Sequence, residues 1–200
     1  MRQFVFFLVM AAVPAAAQWR HFGGERWEPT GDFGIGPAAP VNPLATQLNT
    51  GFSLSGGFGA TRGYAGIMGD FMFSNFGVSD SALAREGALS GGQRIWGLTV
   101  DPVVHINPRG PADFYLTGGL GLYGQRTELR ALGTVPGSSG LFDLTEVNTA
   151  YKGGVNGGVG FAFNIVPHSK IKIFAEARIH HLFEQGPAAN VIPITLGVRF

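Results

Sequence analysis

The chain has no cysteine, which excludes a disulfide framework, a thiolate zinc site and a cysteine nucleophile. Charge is also scarce: 14% of residues are charged, where about 25% is usual, and the formal net charge is +1. Such a chain lacks the surplus of Lys and Arg that phosphate contacts require, so nucleic acid is not an expected partner. Disorder is excluded as well, because it needs few aromatics and a high net charge, and here aromatics make up 12% of the residues. No stretch approaches the 18 consecutive apolar residues that announce a membrane-spanning helix. If the chain enters a membrane, it does so as strands.

Glycine is in excess, at 32 of 200 residues, against about 7% in average usage. These glycines fall as GG, GxG and GxxG inside apolar stretches, without the strict third-residue period of collagen. The length suits a single domain.

The N-terminus reads as an address. Arg2 supplies a positive start, Phe4–Val13 is an uncharged apolar run, and Pro14 breaks it before Ala15-Ala16-Ala17. This is the pattern of a secretory signal, with cleavage expected before Gln18. The mature domain would then be 18–200, and the loss of Arg2 removes the one surplus positive charge. The apolar run is too short for a spanning helix.

Period two dominates the remainder, which is the strand signature. In 171–183, Ile171, Ile173, Ala175, Ala177, Ile179, His181 and Phe183 share one face, opposite Lys172, Phe174, Glu176, Arg178, His180 and Leu182. The same alternation runs through 191–200, 151–165, 114–127 and 94–106, and more loosely through 48–59 and 64–76. Those are seven strands. An eighth, 27–36, alternates Trp27, Pro29, Phe33 and Ile35 with Glu28, Thr30, Asp32 and Gly34, but Pro29 and three glycines weaken it.

Alternation alone does not say which face is buried. A soluble barrel buries its apolar face and needs a surface rich in Lys and Glu; a membrane barrel turns the apolar face to lipid. The polar face here is mostly Gly, Ala, Asn and Thr with isolated charges. Small residues of that kind suit the inside of a narrow barrel, so the apolar face is expected outside. Short turns near 60–63, 107–112 and 167–169 alternate with longer connections at 77–93, 128–149 and 184–189, as in outer-membrane barrels. An even strand count places both termini on one side, with the long loops on the other. Trp96 and Tyr151 then fall at the outer rim and Phe114 and Phe200 at the inner one, forming an aromatic girdle.

With its signal Arg2–Ala17, its ending IPITLGVRF (Ile192–Phe200) and the runs EARIHHLF (Glu176–Phe183) and GGVNGGVGFAF (Gly153–Phe163), the sequence resembles the small outer-membrane β-barrels of Gram-negative bacteria, the OmpA/OmpX-like eight-stranded type. That resemblance implies an all-β, up-and-down antiparallel transmembrane barrel, most simply of eight strands, in the outer membrane. It also implies recognition by the outer-membrane assembly machinery through the strand that ends at Phe200. The expected partners are membrane lipids, and the expected state is a monomer.

Three constellations could carry chemistry. His180 and His181, with Glu176, Glu184 and His168 near them in sequence, suggest a metal, but adjacent strand residues face opposite ways and cannot share one ion. The expected alternative is a structural polar network in the lumen: Asp70, Asp101, Lys172, Glu176, Arg178, His180 and Arg199 on inward positions, neutralising one another. A lipid-facing His181 also suggests the outer-membrane lipid A deacylases, but the position two residues on, where that resemblance requires serine, is Phe183. Without a nucleophile beside the base, acyl transfer has no obvious route. The glycine string at Gly119–Gly124 lacks the following helix that a dinucleotide site needs. No cofactor, metal or catalytic residue is expected. The resulting reading is a non-enzymatic barrel with a largely filled polar lumen, acting in envelope structure or through its extracellular loops, with a narrow channel for very small solutes as the alternative and, behind it, an outer-leaflet lipid-modifying enzyme.

Overall fold

A computed structural model describes residues 26–134, 141–164, 171–183 and 189–200. Eight antiparallel strands, each paired with its sequence neighbours, close into a barrel. They are β1 (Glu28–Val41), β2 (Gly51–Arg62), β3 (Ala65–Gly77), β4 (Ser90–His105), β5 (Ala112–Thr134), β6 (Leu141–Asn164), β7 (Lys172–Leu182) and β8 (Ala189–Arg199). Closure runs through β1 and β8, with Asp32 opposite Arg199 and Phe33 opposite Val198.

The first strand is longer than the 27–36 expected from sequence. It continues through Pro37 and Pro40 to Val41. A proline cannot donate to the ladder, but positions whose N–H points away from a partner do not need to. The turn between β2 and β3 is tight, with Gly63 at φ 57° supplying the left-handed residue.

At the opposite end, two connections fold over the mouth of the barrel. A 3-10 turn, Leu44–Thr46, follows β1 and places Leu44 and then Leu48 in the buried core. Helix α1 (Asp80–Glu86) follows β3. Ser79 caps it by accepting from the Ala82 N–H, and Gly87 ends it at φ 62°. Backbone bonds from Asn49 N–H to the Gly77 carbonyl and from Ser79 N–H to the Gln47 carbonyl tie the two connections together. We call this the loop end, and the end with the Gly63 and Asn107–Gly110 turns the turn end.

The stretch 128–149, expected as a loop, is for the most part a ladder. β5 and β6 stay paired from Ala112–Phe163 out to Thr134–Leu141, whereas β6 pairs with β7 only from Gly154 onward. The hairpin therefore extends beyond the rim. Leu144 to Thr149 are exposed on both faces, so burial no longer marks alternate residues and the period-two signal fades there. The turn expected at 167–169, the connection at 184–189 except its last residue, and the signal segment lie outside the described residues.

Candidate functional site

Inward and outward faces differ as sharply as the alternation requires. Along β4 and β5 the outward cross-strand pairs are Leu98–Leu122, Val100–Leu120 and Val104–Leu116. All six side chains are exposed, Leu120 and Leu122 to about 70%. From Trp96 to Ile106 this apolar wall runs ten residues along β4 and just past its end. At ~3.3 Å per residue and a tilt of ~40°, that corresponds to about 25 Å of height, the usual apolar band of a membrane barrel. Among the described residues no helix is long and apolar enough to cross a membrane.

The lumen is packed in layers. At the loop end, Leu44, Leu48, Met72, Phe76, Ile95, Tyr123, Leu182 and Val191 form a buried apolar cluster. The polar filling expected for the lumen gives way here to hydrophobic packing. β3, β4 and β8 send Met, Phe, Ile and Val inward near this end, and the interior closes there by hydrophobic packing, with Lys152 Nζ donating to Gln125 Oε1 at 2.9 Å nearby. Glycine makes room for the large side chains. A Cβ on Gly97 would lie 2.6 Å from the Tyr123 ring, and one on Gly154 would lie 2.8 Å from the same ring. Tyr123 is thus clasped between two strands that present no side chain of their own at the contact.

Below this cluster lies an ionic layer centred on Arg178 of β7. Its Nη1 donates to Asp101 Oδ2 at 2.7 Å and to Asp70 Oδ2 at 3.2 Å, while Nη2 lies 2.8 Å from Glu176 Oε1. Asp101 has no exposed surface. It also accepts from Thr99 Oγ1 at 2.6 Å and from Asn156 Nδ2 at 2.7 Å. His180 faces the same interior and meets the Tyr123 hydroxyl through Nδ1 at 3.0 Å. The gap left in this layer is about 20 Å³, enough for about one water.

The turn-side layer is aromatic and cationic. Arg199 donates to Asp32 Oδ2 through Nη2 at 3.0 Å, and its guanidinium lies 4.3 Å from the centre of the Tyr115 ring and 5.2 Å from that of Phe174. Beyond it a cavity of about 430 Å³ occupies the turn end, lined in part by His105, Asp113, Asn164 and Lys172. There His105 Nδ1 and Asp113 Oδ2 lie 2.6 Å apart.

Of the seven lumen residues singled out from sequence, the structure brings Asp70, Asp101, Glu176 and Arg178 into direct contact and sets His180 beside them. Arg199 forms its own pair one layer away. Lys172 stands at the turn-end mouth, donating to the Pro108 carbonyl at 3.4 Å, because its position at the very start of β7 puts it beyond the packed interior. Asp32, Asn156, Thr99, Tyr115, Tyr123 and the His105–Asp113 pair were missed. Inward parity was the signal that could have found Asp32, since it alternates with Phe33 and Ile35; its partner Arg199 became apparent only with barrel closure. His181 points outward, with Nδ1 2.7 Å from Asn190 Oδ1. Among the described residues no group of three or more His, Asp or Glu could hold a metal.

On the outside, Trp96 and Tyr151 meet edge to face at 5.8 Å near the loop end. Phe114 packs on Phe161 at 4.8 Å near the turn end, where Phe200 is also exposed.

No family model matches this chain, and no curated protein matches it in sequence. Solved structures do. Neisserial surface protein A (NspA) aligns at a TM-score of 0.58 and 15% identity, over 86% of this chain and 95% of that one. A major outer membrane protein from Thermus thermophilus aligns at 0.56 and 11%, over 85% and 98%. Ail, the attachment invasion locus protein of Yersinia pestis, aligns at 0.50 and 20%, over 90% and 100%. The chain has the fold of the small eight-stranded outer-membrane β-barrels.

Proposed function

We propose that this protein is an integral outer-membrane β-barrel that conducts nothing and catalyses nothing, and that it acts in the envelope through its body and through what it presents at its loop end. One observation carries the reading: an exposed apolar wall of about 25 Å surrounds an interior that is filled from the loop-end cluster to the Arg199 layer. Exposed aliphatics in cross-strand rows have no place on a soluble barrel, and they match lipid. A filled interior does not favour a channel. The turn-end cavity reaches Arg199, whose guanidinium stacks on Tyr115 and Phe174, and that packed layer speaks against a passage.

In this orientation the turn end faces the periplasm, and the loop end, with the β5–β6 hairpin, faces outward. Ail, which shares the fold, is named for attachment and invasion. By likeness of fold, a surface-contact role through the hairpin is the reading we adopt for the loop end. Two measurements test the proposal. The protein should resist carbonate extraction of membranes and leave only with detergent. In planar bilayers it should give no discrete conductance steps; steps that persist after repurification would establish the narrow-channel alternative.

A further inference from the structure

The outer wall changes character within a single ladder step. Phe73, Trp96, Gly124 and Tyr151 are successive cross-strand neighbours from β3 to β6. The next outward row toward the loop end is Asn75, Arg94, Arg126 and Thr149. Below the step the wall is aromatic and then aliphatic; above it stand two arginines directly opposite each other. Trp and Tyr settle at the membrane–water interface, so the Trp96–Tyr151 contact marks that level and the arginines stand at the height of the headgroups.

From this juxtaposition we propose that Arg94 and Arg126 form a binding site for the phosphate of an outer-leaflet lipid headgroup. The inference rests on the membrane-spanning reading above and adds a specific ligand class to it. Like charges directly opposite on an antiparallel pair repel, and here they share a single carboxylate. Glu128 Oε1 lies 2.8 Å from Arg126 Nη2 and 3.7 Å from Arg94 Nη1. Arg130 lies two residues beyond Glu128 on the same face of β5, so among the described side chains of this strip three guanidinium groups stand with one carboxylate. Each guanidinium has five N–H donors, and the side chains of Arg94 and Arg126 remain 50% and 49% exposed. Donors are left over where a phosphate would sit, and arginine matches phosphate oxygens two at a time. Glu128 occupies part of that geometry, so it competes with the ligand.

Protein refolded into phosphatidylcholine vesicles, with spin-labelled phosphatidic acid or spin-labelled phosphatidylcholine as the probe, tests the site. Electron spin resonance reads the lipid fraction held at the protein surface. The wild type should select phosphatidic acid over phosphatidylcholine severalfold. In R94Q/R126Q the selectivity should fall to near one, and in E128Q it should rise. A purely structural triad predicts that E128Q lowers selectivity or leaves it unchanged, and either result overturns the proposal, as does unchanged selectivity in R94Q/R126Q. Inorganic phosphate added in large excess over the lipid should not displace it; if it does, the site takes free anions and the lipid assignment fails. Mobility on an unheated gel reports folding of each variant, and if the double variant does not fold, the rise in E128Q still decides. If neither probe shows a surface-held component, the membrane-spanning reading itself fails, an outcome distinct from equal retention of both probes.

Discussion

Arg178 faces three carboxylates in a space that water barely enters, with Asp70 and Asp101 held through one of its nitrogens and Glu176 through another. Removing it would leave buried negative charge without a partner, whereas an apolar replacement of the whole cluster need not destabilise at all. R178M should therefore lower stability by about 3–5 kcal/mol, read as a fall in the urea midpoint of vesicle-embedded protein. Exchanging all four groups for packed apolar residues should cost far less. Equal losses in the two variants would show that the pairing is not what the layer depends on. A second residue-scale prediction concerns Gly97. A methyl there meets the Tyr123 ring, so G97A should cost about 1–3 kcal/mol by overpacking. Y123L should relieve part of that loss, giving a non-additive double-mutant cycle. Additive losses would mean that Gly97 is needed for something other than space.

The β5–β6 hairpin is the element that sequence reading handled worst, and the reason is physical. Alternation is legible where one face of a strand is buried, because burial selects the residues; where water surrounds both faces, Thr, Glu, Val and Leu follow one another without selection. The hairpin is held by its own ladder and by β4, which pairs with β5 as far as Arg130. Among the described residues, nothing in the barrel's packed layers comes from 131–147. Cutting residues 131–144 and joining Arg130 to its ladder partner Thr145 through an Asn-Gly turn should leave the barrel folded, with a stability change within about 0.5 kcal/mol, the range for changes away from packed features. Heat-modifiable gel mobility and the urea midpoint check this. Loss of the folded band would show that the hairpin nucleates or braces the barrel.

At the scale of the whole molecule, the apolar wall is a ruler. Its height of about 25 Å is less than the ~30 Å of an average bilayer, and mismatch costs fractions of a kcal/mol per Å. The protein should therefore be more resistant to urea in vesicles of short-chain (twelve-carbon) phosphatidylcholine than in those of eighteen-carbon chains. A higher midpoint in the thicker bilayer would contradict the placement of the wall between Trp96 and Ile106. The same ruler brings the lumen layers into one picture: an apolar cluster at the loop end, the ionic layer at mid-height, and the Arg199 layer next to the turn-end cavity.

Composition and parity by themselves determined that the chain is a strand protein, that its faces are unequal, and that the apolar face is outside. The first two follow from local rules, since a side chain's face depends only on whether its position is odd or even; the third follows from a polar face made mostly of Gly, Ala, Asn and Thr. They could also say which residues share a face, as Glu176, Arg178 and His180 do. Which inward residues meet was decided only by tertiary structure. Arg199 finds Asp32 because β8 closes on β1, Asp101 reaches Arg178 across the lumen, and Arg94 stands opposite Arg126 because of the β4–β5 register. Closure and register bring together residues far apart in sequence, and no periodicity within a single strand carries that information.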